Sequence, residues 1–312
     1  MEKISWEDLL NLKYKNFNHS IKFHDNQNHI YINDNEIKFL NKKNNFIVSP
    51  DSWFREKITN KDIHEPRLIS WLLAFSNVFK ERTIRFYDIG ALFGFHSFIF
   101  SKIFDNSKII AVEGNPLSAN YIKDNIINNK LKNFDVINCV VDTKEGEKNF
   151  LIDAFSFQIN KKNKFKFFVK KKFKFFLKRI LNFFNNGNEI SEKKIIEKIH
   201  TKTLDSIMLP QVNNEIDILK IDTEGHQAVF LPQSIKNLIN RNAILLLELD
   251  DPILMKSFNS SNNQLVRPFV ENGYSMFWTQ HRDKNSNVIQ ISEVQKEHDC
   301  NSLVTLIPKK FM

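Results

Sequence analysis

The sequence predicts an α/β fold in which helices cover both faces of a doubly wound, mostly parallel sheet. From residue 83 onward, β-rich runs alternate with runs that have helical spacing, as in βαβ units. Ile216–Ile221 and Ala243–Leu249 are almost continuous apolar runs, which are typical of strands buried on both faces. Finally, Gly90 and Gly94 form a turn between the first of these strands and a helical pattern.

The first 80 residues precede this alternation and form a predicted accessory region of mixed α and β character. Ile4–Leu12 has helical spacing. Short β-type pieces follow at 21–23, 30–32 and 37–40. Because turn-forming residues separate them, a small antiparallel meander is expected. A further helical pattern opens at Pro66, where proline is tolerated, and the second domain is predicted to span residues 81–312.

In the second domain the sequence predicts a sheet with four principal helices. The predicted strands lie at 84–88, 108–113, 134–140, 216–222, 243–249, 274–279 and 302–308. The predicted helices lie at 94–104, 117–130, 225–240 and 261–272. Trp53 and Trp71 are predicted to be core anchors rather than ligand platforms.

A basic insertion at about 154–195 interrupts the alternation, and no Asp or Glu occurs between 154 and 188. On a helical wheel one side carries Phe165, Phe168, Val169, Phe173, Phe176, Ile180 and Phe184. The other side carries Lys170, Lys171, Lys174 and Lys178. Three interpretations remain open: an apolar side packed on the domain, an anionic membrane surface bound through residues 161–184, or single-stranded nucleic acid bound by Lys and Phe.

Composition excludes several classes of protein. The chain has 312 residues, a net charge of +9 and two cysteines that are far apart, Cys139 and Cys300. These cysteines provide neither a disulfide framework nor metal-ligand spacing, and each is expected to be a reduced, buried thiol. The N-terminus lacks the pattern of a secretory signal, and no apolar run reaches the ~18 residues that span a bilayer. We therefore predict a cytoplasmic protein, with peripheral association at the inner membrane face left open.

The first candidate site is the turn that follows Asp88. Its spacing, Asp-x-Gly-Ala-x-x-Gly, contains two glycines where the dinucleotide fingerprint G-x-G-x-x-G contains three. An acidic residue directly before the turn would repel a pyrophosphate and suits a cationic or zwitterionic ligand. An ordinary strand-to-helix turn with a capping Asp is the alternative.

Two further strand ends carry acidic residues. Glu113 ends the next strand, beside the first turn, and a carboxylate there can accept both hydroxyls of a ribose. The strand that ends at residue 221 is followed by Asp222, Glu224 and His226. This turn is more polar than a helix cap requires, although Glu224 could also serve as a helix N-terminal charge and Asp222 as a turn former. A further acidic residue, Glu248, ends the neighbouring strand.

Five motifs in order resemble the FkbM-type S-adenosylmethionine-dependent methyltransferases. They are D-I-G-A-L-F-G, V-E-G-N-P, T-L-D-S-I, L-K-I-D-T-E-G-H and L-L-L-E-L, and the resemblance covers about 83–155 and 200–250. It implies a class I methyltransferase fold, which is Rossmann-like, with a seven-stranded sheet whose last strand is antiparallel. It also implies O-methylation, often of sugar hydroxyls in glycans or natural products.

The resemblance further implies a cofactor site for S-adenosylmethionine. Its predicted members are Asp88, Gly90, Ala91 and Gly94 around the methionine part, Glu113 and Asn115 at the ribose, and Asp142 on the adenine side. Two residues depart from the family pattern: Leu92 stands where Asn is usual, and Gly114 replaces a Pro.

Methyl transfer to a sugar hydroxyl benefits from a positioned general base. The candidates are Asp222, Glu224 and His226, with Asp222 or His226 favoured and a lesser possibility at His96. No metal is predicted, although the carboxylates could alternatively hold a divalent cation. The expected acceptor is carbohydrate-containing or another small molecule.

Two rival functions remain at this point. A nucleic-acid methyltransferase would use the basic insertion to bind RNA, but D-T-E-G stands where enzymes that methylate base amines carry (Asn/Asp)-Pro-Pro-aromatic. Neither cysteine follows a Pro, as C5-cytosine methylation would require. The other rival is a non-catalytic, methyltransferase-like adaptor tethered to a membrane.

Overall fold

The computed structural model describes residues 21–23, 29–32, 35–39, 64–104, 106–152, 157–158, 195–296, 298 and 302–312. The predicted helix Ile4–Leu12, Trp53, Cys300 and the amphipathic Lys/Phe stretch lie outside the described residues.

The N-terminal strands β1 (Ile21–Phe23), β2 (His29–Ile32) and β3 (Asn35–Lys38) form the antiparallel meander expected from the sequence. Residues next to β3 contact the rest of the chain. The side chain of Asn129 donates a hydrogen bond of 2.9 Å to the carbonyl of Lys38, and the rings of Phe39 and Phe98 meet edge to face at 5.4 Å. The meander therefore packs onto the larger domain.

The remaining elements include the strands and helices that the sequence predicts, together with others that it does not predict. The strands are β4 (Thr83–Ile89), β5 (Ser107–Glu113), β6 (Phe134–Asn138), β7 (Val140–Val141), β8 (Gly146–Ile152), β9 (Phe157–Gln158), β10 (Ile195–Lys202), β11 (Glu215–Ile221), β12 (Ile244–Leu249), β13 (Tyr274–Thr279), β14 (Ile289–Ile291) and β15 (Ser302–Pro308). The helices are α1 (Pro66–Val78), α2 (Phe95–Ile103), α3 (Pro116–Asn128), α4 (Leu204–Ile207), α5 (Gln227–Arg241), α6 (Pro252–Ser257) and α7 (Asn262–Glu271).

The main sheet has the order β14-β13-β15-β12-β11-β4-β5-β6. Strands β12, β11, β4, β5 and β6 are parallel, whereas β15 runs antiparallel to both of its neighbours. Seven strands thus have the predicted arrangement, and the short antiparallel strand β14 adds an eighth at the edge. Strand order reverses between β4 and β11, where ligands bind in doubly wound sheets.

A second sheet, of order β7-β10-β8-β9, was not predicted. The sequence predicts one strand over residues 134–140, but β6 ends at Asn138 and Val140–Val141 pairs with β10 instead. Strand β10 also pairs antiparallel with β8. The chain therefore leaves the main sheet after β6, and the second sheet forms beside the end of β5.

Helices cover both faces of the main sheet because side chains on the central strands alternate between two cores. Ile218 and Leu246 belong to the core under α1 and α2, while Leu219 and Leu247 belong to the core under α5 and α7. Trp71 is fully buried in the first core, as predicted. Within the described residues, no helix combines the length and hydrophobicity needed to cross a bilayer.

Candidate functional site

The turns after β4 and β11 meet at Gly90. This residue has a φ of 80°, and a Cβ on it would lie 1.9 Å from the carbonyl oxygen of Asp222. Only glycine fits this close approach. The N–H groups of Gly90 and Ala91 both donate to the carbonyl of Val112 in β5, at 2.9 and 3.1 Å. These contacts hold the ends of three neighbouring strands together.

The same turn contains two more residues in the left-handed region. Gly94 has a φ of 75°, and a Cβ there would lie 3.0 Å from the ring of Phe98 and 3.2 Å from Ile122. It therefore lets α2 begin close to its neighbours. Leu92 has a φ of 52°, a conformation in which Asn is several-fold enriched among non-glycine residues. The departure from the family pattern at this position thus places a less suitable residue in the turn.

Glu113 is held at the end of β5 by two backbone donors. Its Oε2 accepts from the N–H of Leu92 and its Oε1 from the N–H of Asn115, both at 2.8 Å. Each oxygen has lone-pair capacity left for a ligand hydroxyl. Burial raises the pKa of Glu113 to about 7, against the lowering effect of the two backbone donors. The side chain of Asn115 caps α3 by accepting from the N–H of Leu117 at 3.0 Å.

Asp88 lies beneath the turn and is 1% exposed. Its Oδ2 accepts a hydrogen bond of 2.7 Å from the hydroxyl of Ser97, and its Oδ1 lies 3.3 Å from Nζ of Lys220. Lys220 is the register partner of Asp88 on β11. Burial lowers the pKa of Lys220, but the negative charges of Asp88 and Asp222 have the larger effect and raise it. The negative charge of Asp88 is therefore balanced within the protein.

The turn after β11 is fixed by Asp250, which follows β12. Its Oδ2 accepts from the N–H of Gly225 at 2.9 Å and also contacts the amide of Gln227. Gly225 has a φ of 84°, and a Cβ there would lie 2.9 Å from Leu254. The preceding residue, Glu224, also has a positive φ, at 51°. This constrained turn directs the side chains of its acidic residues toward the space above β4 and β11.

The acidic residues around this turn differ in their affinity for protons. Burial would raise the pKa of Asp222, but Lys220 and a hydrogen bond with Glu248 lower it. Glu224 is an exposed residue that lines the pocket. The protein atoms around its carboxyl group still reduce the hydration of that group. This desolvation, together with the charges of Asp222 and Asp250, raises the pKa of Glu224 to about 8. Burial, with Asp222 and Glu65 nearby, raises the pKa of Glu248 well above its usual value.

His226 begins α5 and faces the second sheet. Its Nε2 lies 3.1 Å from the carbonyl oxygen of Val141. A carbonyl can only accept, so Nε2 carries the proton and Nδ1 is the free acceptor. Nδ1 is buried and makes no hydrogen bond in the described part of the chain. Asp142 is fully buried, accepts from the N–H of Thr143 and is paired with Lys148.

A pocket opens where these turns converge. One half of its wall is formed by the ends of β4 and β5 and by the second sheet, through Gly90, Glu113, Asn115, Cys139, Val140 and Phe150. The other half is polar and is formed by His64, Glu65, Asp222, Glu224 and Arg282. His226 also lines the pocket, whereas Asp88, Ala91, Gly94 and Asp142 lie behind its wall. The structure thus brings Glu113, Asp222, Glu224 and His226 to one cavity.

Residues 88–276 match the model of the methyltransferase FkbM domain. The chain belongs to this family. The matched range contains Glu113, the acidic turn after β11 and the strands that carry them, together with the second sheet. The fold of this FkbM-family methyltransferase is of class I, with the last strand of its sheet antiparallel.

Solved structures of other methyltransferases are similar at low identity. A precorrin-6y C5,15-methyltransferase from Geobacter metallireducens is 13% identical, with 76% of this chain and 88% of that chain covered and a TM-score of 0.34. An SAH-bound methyltransferase from Podospora anserina is 10% identical, with 84% and 82% covered and a TM-score of 0.38. An O-methyltransferase from Bacillus cereus in complex with SAH is 10% identical, with 82% and 89% covered and a TM-score of 0.37. No curated protein sequence matches this chain significantly.

S-adenosylmethionine is the methyl donor of this FkbM-family methyltransferase. The residues around the pocket fit such a cofactor. Glu113 presents a carboxylate with spare acceptor capacity, as a ribose diol requires. Gly114 lacks the Cβ that would lie 3.0 Å from Phe150 and 3.1 Å from Val140, so the apolar wall stands close to the chain there. Asp222, whose pKa is lowered, supplies negative charge in the other half, which suits a sulfonium.

Sequence reasoning missed much of the polar half of the pocket in this FkbM-family methyltransferase. Of the residues that line it, Glu65 precedes α1 and Arg282 follows β13, in segments for which the sequence predicts neither a helix nor a strand; His281, next to Arg282, lies behind the wall. Polar residues at the carboxyl end of a strand are the signal that identified Glu113, and the same signal applied to β13 would have found His281 and Arg282. Glu65 has no comparable signal, because its role depends on where α1 docks.

Proposed function

We propose that this FkbM-family methyltransferase transfers a methyl group from S-adenosylmethionine to a hydroxyl of a sugar or glycan-type acceptor. One observation carries the proposal: a single pocket joins the carboxylate of Glu113 to a second, acidic half that contains Asp222 and Glu224. Hydroxyl-rich acceptors are recognised by hydrogen-bond acceptors, and carboxylates offer several lone pairs each. A hydroxyl also needs a base, which this half of the pocket contains.

The reaction forms a bond between the acceptor oxygen and the methyl carbon while the carbon–sulfur bond breaks and its electron pair goes to sulfur. The acceptor proton must go to a base. We assign this role to Glu224, because a general base is most effective when its pKa lies near the working pH, and the pKa of Glu224 is raised to about 8. Asp222, whose pKa is lowered, is a weaker base and supplies a fixed negative charge. Nδ1 of His226 is the other acceptor close to the pocket.

A nucleic-acid acceptor is the alternative, and the net charge of +9 favours it. The described wall of the pocket argues for the hydroxyl acceptor instead. Glu65, Asp222 and Glu224 line its polar half, with Arg282 as the cationic side chain among them. A phosphate backbone would meet repulsion from the carboxylates of Glu65 and Asp222, whose pKa values are lowered, whereas a neutral sugar would not.

The acceptor can be identified with labelled S-adenosylmethionine and fractionated cell extract. We expect the labelled product to be a methyl ether on a carbohydrate-containing molecule, stable to ribonuclease and found by mass analysis. Label that appears in RNA or is lost on ribonuclease treatment would contradict the proposal and favour the alternative.

Glu113→Gln is expected to weaken binding of S-adenosylhomocysteine by about 100-fold, measured by calorimetry. A hydrogen bond to a charged group is worth ~1.5–3 kcal/mol, and about one such bond would be lost, because the amide oxygen of Gln can still accept one ribose hydroxyl. The ionised form is the one that accepts both hydroxyls. Because the pKa of Glu113 is about 7, wild-type affinity should fall as the pH drops below that value. The Gln variant should show no such dependence.

The matched control is Glu145→Gln, which changes an exposed carboxylate in the turn before β8. It should bind as the wild type does. Equal affinity of Glu113→Gln and the wild type for S-adenosylhomocysteine would show that Glu113 does not bind the cofactor. Absence of binding by a folded wild-type protein would overturn the proposed function itself.

A further inference from the structure

Three buried side chains from separate elements meet behind the polar wall of the pocket. Glu65 precedes α1, Glu248 lies on β12 and His281 follows β13, and they are 3%, 7% and 1% exposed. One ligand atom from each lies within 4.8 Å of those of the other two. We refer to these residues as the Glu65/Glu248/His281 cluster. It shares Glu65 with the pocket lining, but no role follows for it from the family motifs.

A second observation concerns the imidazole of His281. Neither of its ring nitrogens makes a hydrogen bond of normal geometry in the described part of the chain. Its Nε2 nevertheless lies 3.3 Å from Oε1 of Glu65 and 3.7 Å from Oε1 of Glu248. The Nε2 of His96 is likewise buried without a hydrogen bond, 3.3 Å from Oε2 of Glu65. Buried polar atoms are normally hydrogen-bonded, and a cation bound between Nε2 of His281 and the two carboxylates would give this nitrogen a partner of bonding geometry.

We propose that the Glu65/Glu248/His281 cluster binds one divalent transition-metal cation, for which Mn²⁺ is the probe. Ligand atoms that each bond a metal at roughly 2.0–2.2 Å lie close to one another. The separations of Nε2 of His281 from the carboxylate oxygens of Glu65 and Glu248 are only slightly larger than those between such ligand atoms. Imidazole with carboxylate oxygens is a donor set that first-row transition metals accept, whereas Ca²⁺ and Mg²⁺ prefer oxygen alone. A cation would bond to both carboxylates and to the unsatisfied ring nitrogen.

Arg282 is the residue that competes with such a cation. Its Nη2 lies 2.8 Å from Oε1 of Glu248 and its Nε 3.6 Å from Oε1 of Glu65. The side chain is 51% exposed, so the guanidinium can turn toward solvent without a large desolvation cost. Binding of a cation would therefore displace Arg282 toward the pocket, where it already lines the wall. Removal of this competing charge should tighten metal binding.

The role of the cation rests on the proposed function, whereas its binding does not. Glu65 lines the polar half of the pocket, beside the turn that carries Asp222 and Glu224. A cation held there would stabilise the oxyanion that forms as an acceptor hydroxyl loses its proton. It would thus act on the acceptor rather than on the cofactor.

The test is a titration of the full chain with Mn²⁺, followed by electron paramagnetic resonance and calorimetry. We expect one equivalent to bind to the wild type. Glu248→Gln and His281→Gln should each weaken binding at least about tenfold, because each removes one ligand of the metal. Arg282→Gln should tighten it several-fold. His200→Ala is the control, because His200 is an exposed imidazole 3.9 Å from Glu147 and would report surface binding.

Circular dichroism and S-adenosylhomocysteine calorimetry show whether each variant is folded. Absence of stoichiometric binding to the folded wild type would overturn the metal proposal and leave the methyltransferase proposal intact. Wild-type affinity in Glu248→Gln or His281→Gln would also overturn it, as would an affinity that is lowered by Arg282→Gln or by His200→Ala. If His281→Gln does not fold, Glu248→Gln and Arg282→Gln decide the matter.

Discussion

Glu224→Gln is expected to lower kcat for methyl transfer by about 10²–10⁴-fold, the range over which general bases contribute. The amide keeps the shape of the side chain but cannot take up the acceptor proton. Binding of S-adenosylhomocysteine should be unchanged, because the role assigned to Glu224 is to take the acceptor proton and not to bind the cofactor. The measurement is transfer of labelled methyl to the purified acceptor, with calorimetry as the parallel readout.

The pH dependence of the rate provides an independent test of Glu224. A general base is active when deprotonated, and the pKa of Glu224 is raised to about 8. The wild-type rate should therefore rise with pH up to about that value and then level off, and the Gln variant should lack this rise. Undiminished activity in Glu224→Gln would exclude it as the base. Asp222→Asn and His226→Gln, made in parallel, would then show which residue takes the proton.

The elements that carry the cofactor site could be predicted because their signals are local in the sequence. Strands β4, β5 and β11 are largely apolar and carry an acidic residue at or directly beside their carboxyl ends, and the positive φ values of Gly90 and Gly94 explain why glycine stands at both positions. Parallel strands place their carboxyl ends at one edge of a sheet, so Glu113 and Asp222 could be expected near one another. The fold class predicted in this way is confirmed.

The second sheet could not be predicted because its pairing is not local. Strand β10 pairs with β8, and Ile195 of β10 lies opposite Ile152 of β8. The long basic insertion separates these two residues in the sequence. Neither strand is a continuous apolar run, and polar and charged residues occupy much of both. A strand of this kind is stabilised by the partner it finds rather than by its own composition.

Charge pairing inside the main sheet was also beyond sequence reasoning. Asp88 is predicted to lie at the methionine part of the cofactor, and the sequence does not reveal that its buried carboxylate also faces Lys220 on the neighbouring strand. That pairing depends on the register of β4 against β11, which apolar runs do not specify. In the same way, Glu65 reaches Glu248 and His281 only through the docking of α1.

Register explains a second charge pair, far from the pocket, that stabilises the fold. Arg85 and Asp217 are partners on β4 and β11, and both are almost fully buried. Nε of Arg85 lies 2.7 Å from Oδ1 of Asp217, and its Nη1 lies 2.9 Å from Glu215. Arg241 lies 2.7 Å from the other oxygen of Asp217. One carboxylate thus serves two guanidinium groups.

Asp217→Asn is expected to destabilise the protein by about 3–5 kcal/mol, because removal of one member of a buried ion pair leaves an uncompensated charge. Arg85 would keep Glu215, whereas Arg241 would lose its carboxylate partner and keep its hydrogen bond of 2.7 Å to the carbonyl of Leu209. The measurement is the denaturant midpoint of unfolding, followed by circular dichroism.

The matched control is Glu271→Gln, because Glu271 accepts from Arg267 at the same 2.7 Å distance, but on an exposed helix surface. An exposed pair at this helix spacing contributes only ~0.3–0.5 kcal/mol, so the two variants separate burial from hydrogen-bond length. Equal midpoints would show that the buried carboxylate stabilises no more than a surface one. If unpaired charge causes the destabilisation, the double variant Arg85→Met/Asp217→Leu should lose less unfolding free energy than the sum of the losses in Arg85→Met and in Asp217→Leu. The reason is that the double variant removes both charges of the pair.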